Sequence, residues 1–193
     1  MNNNTIGTDG LEDHFNNHAT AYEAATRRLK YIAPETMVDL AVPYFNINKP
    51  ILDIGAGTGL VGSRLTKKGF VVDGIDSSDK MLEMARARGY RNLILADIKE
   101  PHIDNGSYQA LISVGAYVDY VHLKFIEKAS KILDEHGVLA IACRAQGVKQ
   151  SLLDVLRQEG FTPKVQAYNT GHYVGGFCDQ LCPIQYFYTV AIR

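Results

Sequence analysis

Residues 51–62 read ILDIGAGTGLVG, and this stretch constrains the chain more than any other. A short apolar run (Ile51, Leu52, Ile54) ends in glycines at alternate positions, Gly55, Gly57 and Gly59, before helix-compatible residues follow. Glycine tolerates positive φ and lets another group approach the backbone closely. A strand, a tight glycine turn and a helix start form a cradle for a nucleotide-like ligand, because the helix N-terminus presents unpaired N–H groups to an anion.

Three acids give that cradle its specificity. Asp53 lies inside the strand, two residues before Gly55. A carboxylate there suits a ligand with an ammonium group and sits badly behind a pyrophosphate. Asp76 ends a second apolar run (Phe70, Val71, Val72, Ile75), about twenty residues past the turn, where a carboxylate accepts from two ribose hydroxyls. Asp97 follows a third run (Leu93, Ile94, Leu95, Ala96), where an acid can accept from an adenine amino group. A ligand with an amino-acid end, a ribose and an adenine is S-adenosylmethionine. A nicotinamide-dependent dehydrogenase is disfavoured, since its turn reads GxGxxG and position 60 here is Leu.

With these motifs the chain resembles the class I S-adenosylmethionine-dependent methyltransferases over roughly residues 34–193. ILDIGAGTG matches the family's first motif, GIDSSDKML its second and LADI its third. Short stretches, MLEMARARGY and SVGAYVDY, look most like a branch of small methyltransferase-like proteins, one of them human and named for the Williams–Beuren deletion region. The resemblance implies that the cofactor's methionine end lies on the glycine turn (Asp53, Gly55, Ala56, Gly57, Gly59). It implies the ribose at Asp76 and Ser77, the adenine between Asp97 and Ile98, and Met81 and Ser113 as further cofactor neighbours.

The rest of the chain reads as an α/β alternation. Strands are expected at 51–54, 70–75, 92–96, 109–114, 138–143, 163–168 and 184–192, and helices at 59–68, 78–88, 121–134 and 149–159. This predicts a doubly wound, mostly parallel seven-stranded sheet of Rossmann-like type, with the last strand antiparallel. Residues 11–40 read as two short helices, with Pro34 suited to the first turn of the second. The expected organisation is a polar tail over 1–10 and one methyltransferase domain over 11–193, made of a helical cap (11–45) and a cofactor-binding core (46–193). Met81, Leu82, Met84 and Ala85 fall on one side of helix 78–88 and read first as core, while Lys80, Arg86 and Arg88 read as solvated charges.

Acceptor chemistry is expected at the end of strand 109–114, where SVGAYVDYVH begins. The Asn-Pro-Pro-Tyr-like motif of the family's amide- and DNA-methylating members is missing there, which argues against adenine-N6 and glutamine acceptors. Asp119 and His122 are the candidate general bases and Tyr117 a candidate wall of the site. Asp119 reads more simply as a helix N-cap, and His122 as a first-turn surface residue. A long segment after strand 163–168 carries His172 and Tyr173 and is either an acceptor lid or an ordinary connection. Residues 14–22 (HFNNHATAY) resemble a cap of small-molecule members, with Phe15, Ala19 and Tyr22 matching and Asn16 in place of an acid; Tyr22 is expected near the methionine end, or else the helix packs on the sheet edge.

The formal net charge of −1 gives no basic field for a nucleic-acid partner. No run of 18 apolar residues suggests a membrane span, and MNNNTIGTDG does not read as a secretory signal. Three cysteines, Cys143, Cys178 and Cys182, suit a reducing, cytoplasmic setting; the last two lie too far from a CxxC pattern to predict a metal site. The expected function is methyl transfer to a small-molecule acceptor. The rivals are a protein methyltransferase and a binder of S-adenosylmethionine that transfers nothing. Acceptor atom and oligomeric state leave no mark in the sequence.

Overall fold

In the computed structural model, residues 11–97, 103–116, 122–145, 149–172 and 183–193 are described. Ile98, Tyr117, Asp119, Tyr173, Cys178, Cys182 and the polar tail lie outside them.

Two helices, α1 (Leu11–Arg28) and α2 (Ala33–Ala41), precede the sheet. The elements then run β1 (Ile51–Ile54), α3 (Leu60–Lys67), β2 (Val72–Asp76), α4 (Asp79–Ala85), β3 (Asn92–Leu95), β4 (Tyr108–Val114), α5 (His122–Ile132), β5 (Leu133–Arg144), α6 (Lys149–Gln158), β6 (Thr162–His172) and β7 (Pro183–Ile192). The seven strands are ordered β3-β2-β1-β4-β5-β7-β6. β7 runs antiparallel to both β5 and β6, as expected for the last strand. Chain order reverses between β1 and β4, which pair in parallel, so their carboxyl ends form the crevice of the sheet.

Side chains alternate across the strands and build two cores. Leu52, Ile54, Leu111 and Leu139 pack with Phe125, Ile126, Leu152 and Leu156 of α5 and α6. Ile51, Val72, Ala110 and Ile112 pack on the other face with Met37 and Val38 of α2 and Val61 and Leu65 of α3. Each fully buried aliphatic side chain contributes about 1.5–3 kcal/mol. Pro34 sits in the first turn of α2 as expected. Gly160, with φ +83°, terminates α6, and the Phe161 N–H reaches back to the Leu156 carbonyl.

Four expectations need correction. Strand 163–168 is longer: β6 continues to His172, which pairs with Pro183 of β7, so His172 lies in the strand and not in a segment after it. Helix 78–88 is shorter: α4 ends at Ala85, and Arg86–Arg88 continue as one 3-10 turn closed by Gly89 at φ +85°. Strand 138–143 is longer, because β5 starts at Leu133, opposite Tyr108, and passes a register irregularity before Val138. Arg88 is not a solvated charge; it is largely buried and ion-paired to Glu23 of α1 at 2.6 Å.

Candidate active site

The glycine turn is shaped by the backbone. Gly55, Gly57 and Gly59 all have positive φ, at +67°, +54° and +90°. The N–H groups of Gly55 and Ala56 both donate to the Ile75 carbonyl, at 2.9 and 3.0 Å, and the Gly59 N–H closes on the Ala56 carbonyl at 2.8 Å. This draws the turn over the end of β2. At Gly55 a side chain is sterically excluded, since a Cβ there would overlap that of Ala116 just after β4. The two loops flanking the topological switch therefore touch.

Asp76, the last residue of β2, faces the same turn. Its Oδ2 accepts from the Gly57 N–H at 2.8 Å and its Oδ1 from the Ser78 N–H at 2.9 Å. Burial raises its carboxyl above the usual range, and the N–H groups of Ser78, Gly57 and Ser77 partly oppose that rise. Each oxygen keeps acceptor capacity for a hydroxyl. Ser78 then caps α4, accepting from the Met81 N–H at 3.2 Å.

Asp53 is 1% exposed and points toward the α3 side of β1. Its Oδ2 accepts from the Tyr90 hydroxyl at 2.6 Å. Burial pushes the Asp53 carboxyl from the ordinary 3.8 up to about 7; the Tyr90 hydrogen bond and the Gly62 N–H oppose this and the nearby Asp76 adds to it. Among the described residues, no cation is among the groups acting on it.

The N-terminal helix is fastened across this site. The Oδ1 of Asn16 accepts from the Ser78 hydroxyl at 2.7 Å and from the Lys80 N–H at 3.3 Å, so α1 caps α4. One helical stretch later, Glu23 is buried and accepts from Arg88 at 2.6 Å and Arg27 at 3.4 Å. Burial alone would raise its carboxyl; the hydrogen bonds and the Arg88 charge outweigh that and hold it below the usual range. Its Oε2 and the Thr58 Oγ1 of the glycine turn are buried neighbours, and Thr58 adds to the lowering of the Glu23 carboxyl. At this contact, α1, α2 and α3 line an open cleft of about 360 Å³.

The other sequence-predicted residues fall as follows. Tyr22 is half-buried, with its ring edge-on to Phe15 at 6.3 Å. Ser113 is buried and its hydroxyl donates to the Ile54 carbonyl at 3.1 Å, joining β4 to β1. Met81 is 2% exposed and belongs to the buried side of α4. Asp97 is exposed, two residues past β3. His122 opens α5 and His172 closes β6. Four side chains that shape the site escaped the sequence reading in these roles: Asn16, Glu23, Tyr90 and Tyr31, whose hydroxyl crowds Gly115 at the end of β4. For Tyr90 a signal existed. Gly62 inside a helix and Gly74 inside a strand both mark close approach of another group, and the Tyr90 ring occupies both places.

Comparison with known proteins agrees with this geometry. Residues 51–137 match the family model described as a methyltransferase domain. A malonyl-[acyl-carrier protein] O-methyltransferase of Priestia megaterium is 32% identical over 148 residues, 74% of this chain and 54% of that protein. Human methyltransferase-like protein 27 is 36% identical over 108 residues, 52% of this chain and 44% of that protein. The chain thus spans about half the length of these curated relatives. Among solved structures, magnesium protoporphyrin IX methyltransferase from Synechocystis PCC 6803, determined with bound S-adenosylmethionine, superposes with a TM-score of 0.72 over 100% of both chains at 16% identity. A Haloferax volcanii methyltransferase, solved in complex with its Trm112 activator, gives 0.73 over 94% of this chain and 96% of that one at 15% identity. Motifs, strand order and relatives coincide: the chain carries a methyltransferase domain over residues 51–137, in a sheet of the class I S-adenosylmethionine-dependent methyltransferase type.

Proposed function

We propose that this chain transfers the sulfonium methyl group of S-adenosylmethionine to a small-molecule acceptor. The observation that carries the cofactor assignment is the pairing of Asp53 and Asp76 around one glycine turn at the switch point. Asp53, buried and without a cation, fits an ammonium; Asp76, with spare acceptor capacity at the end of β2, fits ribose hydroxyls. Bound, the cofactor supplies an activated methyl group and a good leaving group. The chain's task is alignment and exclusion of water, which can supply much of the rate. Gly55–Gly59 hold the methionine end, and Asp97 with Ile98 flank the adenine. Tyr22 on α1 lies over the methionine end. Tyr117, with Asp119 or His122, receives the acceptor and takes its proton where it carries one. His172 and Tyr173 contribute to binding the acceptor.

A small acceptor is supported by three features. α1 is fastened across the site by Asn16 and Glu23, which narrows access to it. The net charge of −1 offers no field for a polymeric anion. One relative carries the name ubiquinone biosynthesis O-methyltransferase. No helix among the described residues is long and apolar enough to cross a membrane, and a cytoplasmic location is in keeping with the reading. The test is incubation with methyl-labelled cofactor and a metabolite extract. Label in a small extractable product is expected. Label confined to protein overturns the acceptor class, and binding without any labelled product overturns transfer.

A further inference from the structure

Tyr90 follows α4 and its 3-10 turn, and the proposed methyl transfer makes no use of it. Its ring nevertheless lies where three elements make room. A Cβ on Gly62 of α3 would overlap the ring, one on Gly74 of β2 would come within 2.9 Å of it, and one on Gly59 within 3.0 Å. At the end of this slot the hydroxyl makes two bonds. It donates to Asp53 Oδ2 at 2.6 Å and accepts from the Gly62 N–H at 3.2 Å. The Gly62 N–H is one of the first-turn donors of α3 that have no partner within the helix.

We infer that Tyr90 is a positioning residue for the amino-acid end of the cofactor, its hydroxyl fixing the Asp53 carboxyl against the first turn of α3. The inference rests on the reading that Asp53 receives the cofactor's ammonium. A core filler needs only the ring, and phenylalanine would serve. The hydroxyl does what the ring cannot: together with the Gly62 N–H it restricts the rotation of a buried carboxyl that no cation of the described residues orients. The charged and titratable groups acting on this pair are Asp76 from β2 and Arg88 from the 3-10 turn. Tyr90 keeps its proton, because burial and the Asp53 charge both raise its hydroxyl well above the ordinary value, and it acts as a donor toward Asp53 throughout the working range.

Two ligands separate positioning from packing. S-adenosylhomocysteine carries the amino-acid end; 5′-methylthioadenosine keeps the adenosyl thioether and lacks that end. In calorimetric titrations, Tyr90→Phe is expected to weaken S-adenosylhomocysteine about tenfold, the scale of one charge-assisted hydrogen bond. Binding of 5′-methylthioadenosine should stay within about twofold, since it never meets Asp53. In an Asp53→Asn background the added Tyr90→Phe change should have little further effect on S-adenosylhomocysteine. Equal loss for both ligands, or no loss for either, overturns the inference. If Asp53→Asn itself leaves S-adenosylhomocysteine affinity intact, the ammonium assignment fails. If Asp53→Asn weakens it and Tyr90→Phe does not, only the role of Tyr90 fails. In the unmutated protein the Gly62 amide resonance should shift with S-adenosylhomocysteine and not with 5′-methylthioadenosine; identical responses would also count against Tyr90.

Discussion

Asp53 and Asp73 are both 1% exposed, on neighbouring strands, and they behave oppositely. Asp73 lies near the amino ends of the strands, away from the switch point. It accepts from Arg91 Nε at 2.9 Å and Nη2 at 2.5 Å, from the Tyr108 hydroxyl at 2.7 Å and from Asn92 at 3.1 Å. Burial would raise its carboxyl, but the Arg91 and Tyr108 hydrogen bonds and the Arg91 charge win and hold it below the usual range. Asp53, near the carboxyl end of β1, has a tyrosine and no cation, and burial wins. A buried acid with its donors in place is a structural tie. A buried acid short of positive charge, beside a glycine turn, is where we propose that the cationic ligand binds. The comparison thus distinguishes stability from function within one sheet.

The largest expected effect lies on the structural side. Asp73→Ala strands the Tyr108 hydroxyl and removes the partner of Arg91. It should cost about 2–4 kcal/mol in urea unfolding, with cofactor affinity per folded molecule unchanged. On the ligand side the pattern reverses. Asp76→Ala should weaken S-adenosylhomocysteine by about 1.5–3 kcal/mol, since it removes ribose acceptors and frees the Gly57 and Ser78 N–H groups. An affinity that survives this change would remove Asp76 from the cofactor site. Gly62→Ala drives a methyl group into the Tyr90 ring and should cost about 1–3 kcal/mol of stability. The smallest effect is expected at the cap. Asn16→Ala deprives the Ser78 hydroxyl and the Lys80 N–H of their acceptor and should cost about 0.5–1 kcal/mol, with faster proteolysis of α1.

The two acids also separate by pH. The Asp53 carboxyl is raised in the folded chain. Between the ordinary 3.8 and about 7 the unfolded chain releases this proton and the folded chain keeps it. Asp53 therefore makes stability fall as pH rises through that window, and Asp53→Asn should flatten the fall. The Asp73 carboxyl is lowered, so its contribution is present above the ordinary 3.8 and is lost as pH falls through the lowered folded value. Chemical denaturation of both variants across pH 3–8 checks the two slopes.

Much of this was legible in the sequence, for physical reasons. The positions of β1, β2, β3 and β4 follow from apolar runs that glycines and acids terminate, and the sheet class follows from their alternation with helices. Gly55, Gly57 and Gly59 adopt the positive φ their spacing implies. Less legible was everything that depends on partners distant in the chain. Arg88 reads as one charge among several on a short helix, yet it is buried because Glu23 lies 65 positions earlier on a helix that crosses it. Asn16 looks like a weakened match to an acidic motif, whereas its amide oxygen is an acceptor for two donors on α4. Tyr90 gains its meaning only when Gly62 and Gly74 are brought side by side by the pairing of β1 with β2. Local pattern encodes the elements; the ties between them are made across the fold.

The most direct test of the ligand-side assignment is calorimetric titration of S-adenosylhomocysteine into the native protein and into Asp53→Asn, at pH 6 and pH 8, in buffers of different ionisation enthalpy. The native protein is expected to bind more tightly at pH 8 and, relative to the variant, to release a proton as the ammonium displaces the one held by Asp53. Equal proton release and equal affinity in the two proteins at both pH values would contradict it.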